Sequence, residues 1–411
     1  MNENMLWQYA RLVIGVGINV QKGQPIMVNC PVECAEFGRL LAKAAYEAGA
    51  KEVHMLWRDD IISREYWLHA DDSVFDSVPE WEILKRNELA KEGVGSISIA
   101  ASDPENLKGV DPDRLRRAGI ASGRDLKEFS HKLMANYLPW CVVSVPIPSW
   151  AKKVFPGVPV EEAMEKLWQA IFKAVRITED GDAVSEWRRH CGNIEGKARA
   201  MTEYDFEELH YVNASGTDLY VKMPENSVWT AGGEYTKGGV KFVANMPTEE
   251  VFSAPLRTGV NGTLAASKPL VLHGNVVEGI RFTFREGRIT DIHADTNEEA
   301  LRTEVGLDEG SHYLGEIALV PYDSPISNSG ILFYNTLFDE NASCHFAFGR
   351  AYPSCIRGGE ELPPEKLIEK GLNAESSTHV DFMVGTRDLS IIGKTRDGKT
   401  VKVFENGNFA I

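Results

Sequence analysis

The sequence predicts an α/β N-terminal domain with βαβ units, followed by an α+β, β-rich C-terminal domain. The 411 residues exceed what one hydrophobic core usually holds, which is about 250–300 residues. Strand and helix patterns alternate up to residue 60, whereas the chain after Met201 consists of short alternating segments between turn residues. We therefore expect an N-terminal domain over residues 1–195 and a C-terminal domain over residues 196–411.

The N-terminal region has the pattern of a βαβ unit. Residues 25–29 form a short apolar run typical of a strand, residues 35–46 have helical spacing, and residues 52–56 form a second apolar run. Two further strands are predicted, over residues 96–100 and 140–146. Strands that alternate with helices in this way predict a parallel sheet in a layered α/β domain.

The C-terminal half carries hairpin signals. Residues 282–292 contain a Glu-Gly turn between two alternating segments, and residues 395–401 contain an Asp-Gly turn. The best helix candidates in this half are residues 297–305 and 364–373. This half is therefore predicted to be rich in β-strands.

Composition narrows the classes of partner and compartment. The formal net charge of −16, without a cluster of Lys and Arg, argues against a nucleic-acid partner. We find no signal-peptide pattern at the N-terminus and no run of about 18 apolar residues that would span a membrane. Six cysteines are too sparse for a disulfide framework. We expect a cytoplasmic protein with reduced thiols and no membrane partner.

Several familiar catalytic motifs are missing from the sequence. It has no Gly-x-Ser-x-Gly elbow, no His-Glu-x-x-His helix and no Cys-x-x-Cys pair. Gly15 and Gly17 begin like a dinucleotide-binding loop, but the third glycine is missing and the segment precedes the strand instead of following it. We therefore predict no nucleotide cofactor at this position.

Metal-ligand residue types are concentrated beside turn residues in the C-terminal half. They are Glu249, Glu250, Glu316, Asp339, Glu340, His345, His379 and Asp381. Residues two apart on a strand share a face, so His379 and Asp381 could bind one ion together. Taken singly, each carboxylate is more simply a surface charge and each histidine more simply a core residue. Only the joint pattern favours a metal site.

The same residues lie in segments that resemble the M29 family of metalloaminopeptidases. The resemblance is carried by Asn-Met-Pro-Thr-Glu-Glu-Val-Phe at 245–252, Leu-Gly-Glu-Ile-Ala-Leu-Val at 314–320, the segment at 335–349, and Thr-His-Val-Asp-Phe-Met-Val-Gly at 378–385. It extends to Ser-Asp-Pro at 102–104 and Val-Asp-Pro at 110–112, and thus covers nearly the whole chain. The departures from the family's pattern, at Ser343 and at Ser377-Thr378, remove no ligand.

The resemblance implies a site for two divalent metal ions in the C-terminal domain. The implied ligands are Glu250, Glu316, His345, His379 and Asp381. Nitrogen and oxygen ligands without a thiolate suit Zn, Co or Mn. Glu340 is the candidate general base, with a third carboxylate ligand or a partner that orients His345 as alternatives. Tyr352 is expected to face the reaction and to donate a hydrogen bond to the oxyanion.

The function implied is hydrolysis of the N-terminal peptide bond of short peptides, through a water that bridges two ions about 3.5–4 Å apart. A homodimer is implied as well. One alternative is a non-haem iron dioxygenase that uses His345, His379 and Asp381 as a two-His-one-carboxylate set. A second alternative is a metal-dependent binding protein without turnover.

Overall fold

The computed structural model describes residues 2–272 and 274–411, and the chain divides into two compact units. The first unit comprises Met1–His190 and Gly233–Pro247, and the second comprises Cys191–Gly232 and Thr248–Ile411. The chain thus returns to the first unit for a short segment before it completes the second. The single domain boundary expected after residue 195 stays a prediction.

The α-helices lie mainly in the first unit. In chain order they are α1 (Glu3–Leu12), α2 (Ala35–Glu47), α3 (Asp60–His69), α4 (Glu80–Lys91), α5 (Pro112–Asp125), α6 (Lys127–Met134), α7 (Pro148–Val154), α8 (Val160–Ala174), α9 (Ala183–Tyr204), α10 (Glu298–Val305), α11 (Thr336–Asp339) and α12 (Pro364–Glu369). Local sequence explains several starts. The carboxylates of Asp59 and Asp111 accept first-turn N–H groups of α3 and α5, and Pro112 occupies the first turn of α5.

Most strands lie in the second unit. In chain order they are β1 (Pro25–Pro31), β2 (Glu52–Arg58), β3 (Gly95–Ile99), β4 (Trp140–Val143), β5 (Phe206–Val212), β6 (Asp218–Lys222), β7 (Thr230–Ala231), β8 (Glu234–Tyr235), β9 (Lys241–Phe242), β10 (Asn245–Met246), β11 (Val251–Ser253), β12 (Val260–Ala265), β13 (Leu270–Leu272), β14 (Asn275–Val277), β15 (Arg281–Arg285), β16 (Arg288–His293), β17 (Leu314–Leu319), β18 (His345–Gly349), β19 (His379–Met383), β20 (Ser390–Thr395), β21 (Thr400–Glu405) and β22 (Asn408–Phe409). Short turns rich in glycine separate many of them. Helices therefore dominate the first unit and strands the second.

The first unit is built on a parallel sheet with the strand order β10–β4–β3–β1–β2. Its strand β1 is buried on both faces, and Ile26, Met27 and Val28 have no exposed surface. A continuous apolar strand of this kind is typical of a parallel sheet covered by helices on both sides. The βαβ unit predicted from the sequence is confirmed as β1, α2 and β2.

The second unit contains two antiparallel sheets that share a hydrophobic core. One has five strands in the order β19–β18–β17–β11–β7, and the other has eight in the order β16–β15–β12–β6–β5–β20–β21–β22. Aromatic side chains of the two sheets meet in this core, where the ring centres of Tyr211 and Phe346 lie 5.1 Å apart and those of Phe282 and Phe382 also lie 5.1 Å apart. This packing holds the five-stranded sheet from one side.

The predicted hairpins are confirmed, with differences at some element ends. β15 and β16 are joined by Glu286 and Gly287, whose φ angles of 48° and 81° suit a tight hairpin turn. The helix predicted over residues 364–373 ends earlier, at Glu369, because Gly371 takes a φ of 92° that stops the helix. Among the described residues, no helix combines the length and apolar composition that a membrane crossing would require.

Candidate metal centre and active site

Four of the five predicted metal ligands lie on one face of the five-stranded sheet. Glu316 on β17 pairs with Ala347 on β18, which pairs with Asp381 on β19, so these three residues form a row across the sheet. His345 lies two residues before Ala347 and His379 two residues before Asp381. Because directly paired residues and residues two apart share a face, the side chains of these four ligands and of Ala347 point to the same side.

Glu250 joins this face from the neighbouring strand. It directly precedes β11, in which Phe252 pairs with Ala318 of β17. Ala318 is two residues from Glu316, and Phe252 is two residues from Glu250, so the same alternation places Glu250 on the face that carries Glu316. The side chains then bring ligand atoms of Glu250, Glu316 and His345 within 4.8 Å of one another. The structure therefore brings together all five predicted ligands.

The opposite face of the sheet explains why this arrangement is stable. Ile317, Phe346 and Phe382 alternate with the polar residues along β17, β18 and β19, and each is buried in the core of the second unit. A slip of one residue in the register would place these apolar side chains on the site face and the carboxylates in the core. The hydrophobic packing thus fixes which residues face the site.

The ligand atoms form two sets of three. Glu250, Glu316 and His345 make up one set, and Glu316, His379 and Asp381 make up the other; within each set the atoms lie within 4.8 Å of one another. In the first set, Nε2 of His345 lies 3.3 Å from Oε2 of Glu250 and 3.7 Å from Oε1 of Glu316. In the second, Nε2 of His379 lies 3.3 Å from Oε2 of Glu316 and 3.4 Å from Oδ1 of Asp381.

Glu316 is the residue that the two sets share. Its Oε1 faces His345 and its Oε2 faces His379, so each oxygen belongs to a different set. Its side chain is almost fully buried, at 6% exposure. A carboxylate in this position can bind one cation with each oxygen and hold the two cations side by side.

Backbone carbonyls orient both histidine rings. Nδ1 of His345 lies 2.9 Å from the carbonyl oxygen of Glu340 and 3.1 Å from that of Ser343, and Nδ1 of His379 lies 2.7 Å from that of Arg350. A carbonyl can only accept, so each Nδ1 carries the proton and donates it. In the neutral ring this leaves the Nε2 lone pair directed at the carboxylates, as in metal-bound histidines.

The electrostatics of the cluster call for positive charge. Burial acts to lower the pKa of His345, but hydrogen bonds with Glu250 and Glu316 outweigh it and raise the pKa well above its ordinary value. The pKa of His379 is raised in the same way, against its burial, chiefly by Asp381. Although burial acts to raise the pKa of Glu316, hydrogen bonds from the two histidines lower it to about 2. In the metal-free protein, protons on the histidines neutralise the carboxylates. Bound divalent cations would take over this role.

The donor set fits divalent cations. It offers imidazole nitrogens with fixed tautomers and carboxylate oxygens, without a thiolate, in two adjacent sets. Such ligands suit Zn, Co or Mn. The geometry thus offers two adjacent sets of possible metal ligands that share the carboxylate of Glu316.

Glu340 lies at the edge of this cluster. It begins a short 3-10 helix, Glu340–Ala342, directly before Ser343 and the strand that starts at His345. Burial raises the pKa of Glu340 well above its ordinary value, and the charges of Asp381 and Glu250 raise it further. Its carboxylate is therefore close enough to the predicted ligands to interact with their charges.

Tyr352 stands beside the second set of ligands. Its ring centre lies 5.3 Å from that of His379 in an edge-to-face arrangement, and 6.0 Å from that of Phe252. It follows Arg350, whose carbonyl orients His379, by two residues. Tyr352 thus lies next to a predicted ligand, and its role in the reaction stays a prediction.

Three residues that shape the metal site are not metal-ligand types and could not be predicted from the sequence. Ala347 occupies the row between Glu316 and Asp381, where a larger side chain would fill the space between the carboxylates. The carbonyl of Arg350 and the carboxamide of Asn341 contact site residues, but neither has a sequence signature of its own. For Ala347, the sequence offers only its position, two residues after His345, as a sign that it lies on the same face.

Comparisons with known proteins agree with the geometry. Residues 2–409 match the sequence profile of a family described as thermophilic metalloprotease (M29). Aminopeptidase AmpS of Bacillus subtilis (strain 168) is 48% identical over 402 residues, which cover 98% of this chain and 97% of that protein. The structure of wild-type AmpT from Thermus thermophilus matches with a TM-score of 0.92 and 36% identity over 100% of both chains.

A more distant likeness concerns the fold alone. The structure of 2,5-dihydroxypyridine dioxygenase from Pseudomonas putida KT2440 matches with a TM-score of 0.52 at 13% identity, over 99% of this chain and 97% of that one. At 13% identity, the match to the dioxygenase shows a shared fold and says nothing of a shared function. The profile match over nearly the whole chain decides the assignment, and the resemblance noted in the sequence is confirmed: the chain belongs to the M29 family of metalloproteases.

Proposed function

We propose that this protein is a metal-dependent aminopeptidase that hydrolyses the N-terminal peptide bond of short peptides. The observation that carries the proposal is the pair of ligand sets that share Glu316. Its full-length similarity to an aminopeptidase of Bacillus subtilis supports the same activity. The reaction is therefore a hydrolysis at the free amino end of a peptide.

The proposed cofactor is a pair of divalent ions, Zn, Co or Mn. One ion would be held by Glu250, Glu316 and His345, and the other by Glu316, His379 and Asp381. When bound, such ions lower the pKa of water to about 7 and polarise the peptide carbonyl. The protein's own contribution is to hold the ligands in place from a rigid sheet and to fix the tautomers of both histidines.

Glu340 is proposed as the general base, which takes the proton of the attacking water and returns it to the leaving amine. Its raised pKa makes the carboxylate a better proton acceptor than an exposed glutamate. The backbone carbonyl of Glu340, and not its carboxylate, accepts the proton of His345 Nδ1. The carboxylate is thus not needed to orient His345, which favours the role of base over that of orienting partner.

Tyr352 is proposed to donate a hydrogen bond from its hydroxyl group to the oxyanion that develops on the peptide carbonyl. Its ring packs edge-to-face against His379, which places the side chain beside one ligand set. A donor fixed in a partly buried site stabilises developing negative charge more than water does. The role follows from this position and from the chemistry of the phenol.

Selection for a free N-terminus is proposed to depend on charge. A peptide's α-amine is a cation near neutral pH, and a carboxylate that the ions leave free would bind it. An acetylated peptide lacks this charge and should not be cleaved. We propose short peptides as the substrates.

A homodimer in the cytoplasm completes the proposal. All six cysteines are buried thiols, as expected for a reducing compartment. The dimer rests on the resemblance to the family. Light scattering on the purified protein would show a monomer if this part of the proposal is wrong.

The geometry separates this function from that of a mononuclear iron dioxygenase. Such an enzyme would place His345, His379 and Asp381 around one ion. Here Nε2 of His345 faces Glu250 and Glu316, whereas Nε2 of His379 faces Glu316 and Asp381. The histidines belong to different ligand sets, which favours two ions.

The test combines metal content with hydrolysis of leucine p-nitroanilide before chelation, after chelation, and after return of Zn, Co or Mn. We expect two ions per chain and cleavage that chelation abolishes and metal restores. N-acetyl-leucine p-nitroanilide serves as the control and should stay intact. One iron per chain without cleavage would favour the dioxygenase, and metal binding without any cleavage would favour a binding protein.

A further inference from the structure

Asn341 links two segments of the site. It is fully buried, with no exposed surface, and lies in the short 3-10 helix that begins at Glu340. Its Oδ1 accepts the backbone N–H of Glu249 at 2.7 Å, directly before the ligand Glu250. Its Nδ2 donates to the carbonyl of Leu337 at 2.9 Å and to Oε1 of Glu340 at 3.4 Å.

The chemistry of these contacts requires an amide. One side of the group must accept, because it faces an N–H, and the other must donate, because it faces the carbonyl of Leu337 and the carboxylate of Glu340. An aspartate at position 341 has nearly the same shape but no hydrogen to donate. It would also place a negative charge against Glu340 in a buried setting.

The contact to Glu340 has a further consequence. Glu340 starts a helical turn, and its side chain has several rotatable bonds that must be ordered before it can act. The hydrogen bond from Asn341 restrains one carboxylate oxygen, and the bond to Leu337 holds Asn341 itself. The carboxylate of Glu340 is thereby held near the charges of Glu250 and Asp381.

We propose that Asn341 is a positioning residue that acts through Glu340 by holding its carboxylate in the orientation needed for proton transfer. This inference rests on the proposed function, because it assigns a task within the same hydrolytic site. It differs from a purely structural role in one respect: removing the amide should matter only when Glu340 is present to be positioned.

A double-mutant cycle tests the proposal. The variants are Asn341→Asp, Asn341→Ser, Glu340→Gln and the two combinations, assayed on leucine p-nitroanilide with metal content measured in each. We expect each Asn341 variant alone to lower kcat by about 10- to 100-fold, with KM changed less than about threefold and metal content unchanged. In the Glu340→Gln background the same substitutions should change kcat by less than about threefold.

Asn213→Asp provides the matched control. Asn213 is also buried, and its carboxamide contacts Ser215, Thr217 and the carbonyl of Val384, none of which belongs to the site. This variant should keep the kcat of the unmodified protein even if it unfolds at a lower temperature. Thermal unfolding of every variant shows whether the fold is intact.

The outcomes separate the inference from the function on which it rests. An unmodified protein that cleaves no substrate with any divalent ion overturns both. An active protein in which the Asn341 substitutions cause equal losses with and without Glu340 overturns the positioning role alone. A loss of metal in Asn341→Ser also contradicts the inference, because the residue would then act on Glu250 through the Glu249 backbone.

Discussion

Glu316 shows how much of the site depends on a single side chain. Its two oxygens face two histidines that belong to different ligand sets. It therefore connects His345 of β18 with His379 and Asp381 of β19, which belong to different ligand sets. Burial of this carboxylate is tolerated because the histidines donate to it, and they lower its pKa to about 2.

Replacing the proposed base should separate chemistry from metal binding. We predict that Glu340→Gln lowers kcat by about 10²–10⁴-fold, because an amide cannot accept and return a proton. Metal content should stay at the level of the unmodified protein, since Glu340 belongs to neither ligand set. Steady-state kinetics and elemental analysis measure both. A variant that loses an ion would identify Glu340 as a ligand instead.

The phenol of Tyr352 can be tested by removing one atom. We predict that Tyr352→Phe lowers kcat by about 10²-fold, as expected when one donor to an oxyanion is lost. The ring contacts with His379 and Phe252 should persist, so metal content and thermal stability should change little. Activity equal to that of the unmodified protein would show that Tyr352 only packs beside the site.

At the scale of the elements, the alternation of the five-stranded sheet determines the geometry of the site. One face carries the ligands and the other carries Ile317, Phe346 and Phe382 in the core. Ala347 is the smallest member of the row between Glu316 and Asp381, and it is fully buried. Cations held by the two ligand sets would lie on the face to which its methyl group points.

Filling that space should prevent metal binding. We predict that Ala347→Leu reduces metal content and activity, and costs about 1–3 kcal/mol of stability through overpacking. Ala347→Ser adds only a hydroxyl and should keep both ions, which makes it the matched control. Elemental analysis and thermal unfolding measure the two effects. Full metal content in the leucine variant would show that the ions lie elsewhere.

The sequence predicts this sheet only in part, for physical reasons. The spacing of His379 and Asp381 correctly placed both on one strand face, because a strand repeats every two residues. The position of Glu250 beside Glu316 depends on the pairing of β11 with β17, which is a long-range contact without a local pattern. The resemblance to a family, and not periodicity, therefore supplied Glu250 as a candidate.

The first unit shows the same limit. The strands β1 and β2 and the helix α2 between them were predictable from apolar runs and helical spacing. The strand β10 contains only Asn245 and Met246, too short for any pattern, yet it adds to the edge of the parallel sheet beside β4. A segment from the middle of the chain thus completes an N-terminal sheet, and only the three-dimensional structure reveals it.

For the whole molecule, the charge of the site predicts a dependence on pH. The pKa values of His345 and His379 are raised from their ordinary value of 6.5, and burial raises that of Glu250. The stability from each histidine is complete below its unfolded pKa and is lost as the pH rises through its raised folded pKa. The buried Glu250 acts in the same direction, because the folded protein binds its proton more tightly than the unfolded chain does.

We therefore predict that the metal-free protein loses thermal stability as the pH rises above 6.5, the ordinary pKa of a histidine, and passes through the raised pKa values of His345 and His379. Metal ions displace these protons, so metal binding should release protons and tighten with rising pH. Scanning calorimetry with and without metal, and titration calorimetry in buffers of different ionisation enthalpy, measure these effects. Uptake of protons on metal binding would contradict the assigned directions.

The most direct test of the paired-ion site is the crystal structure of the metal-loaded protein, with anomalous scattering recorded at the absorption edge of the bound metal. We predict two anomalous peaks per chain on the ligand face of the five-stranded sheet. One should lie among Glu250, Glu316 and His345, and the other among Glu316, His379 and Asp381. A single peak shared by His345 and His379, or peaks away from Glu316, would contradict the account.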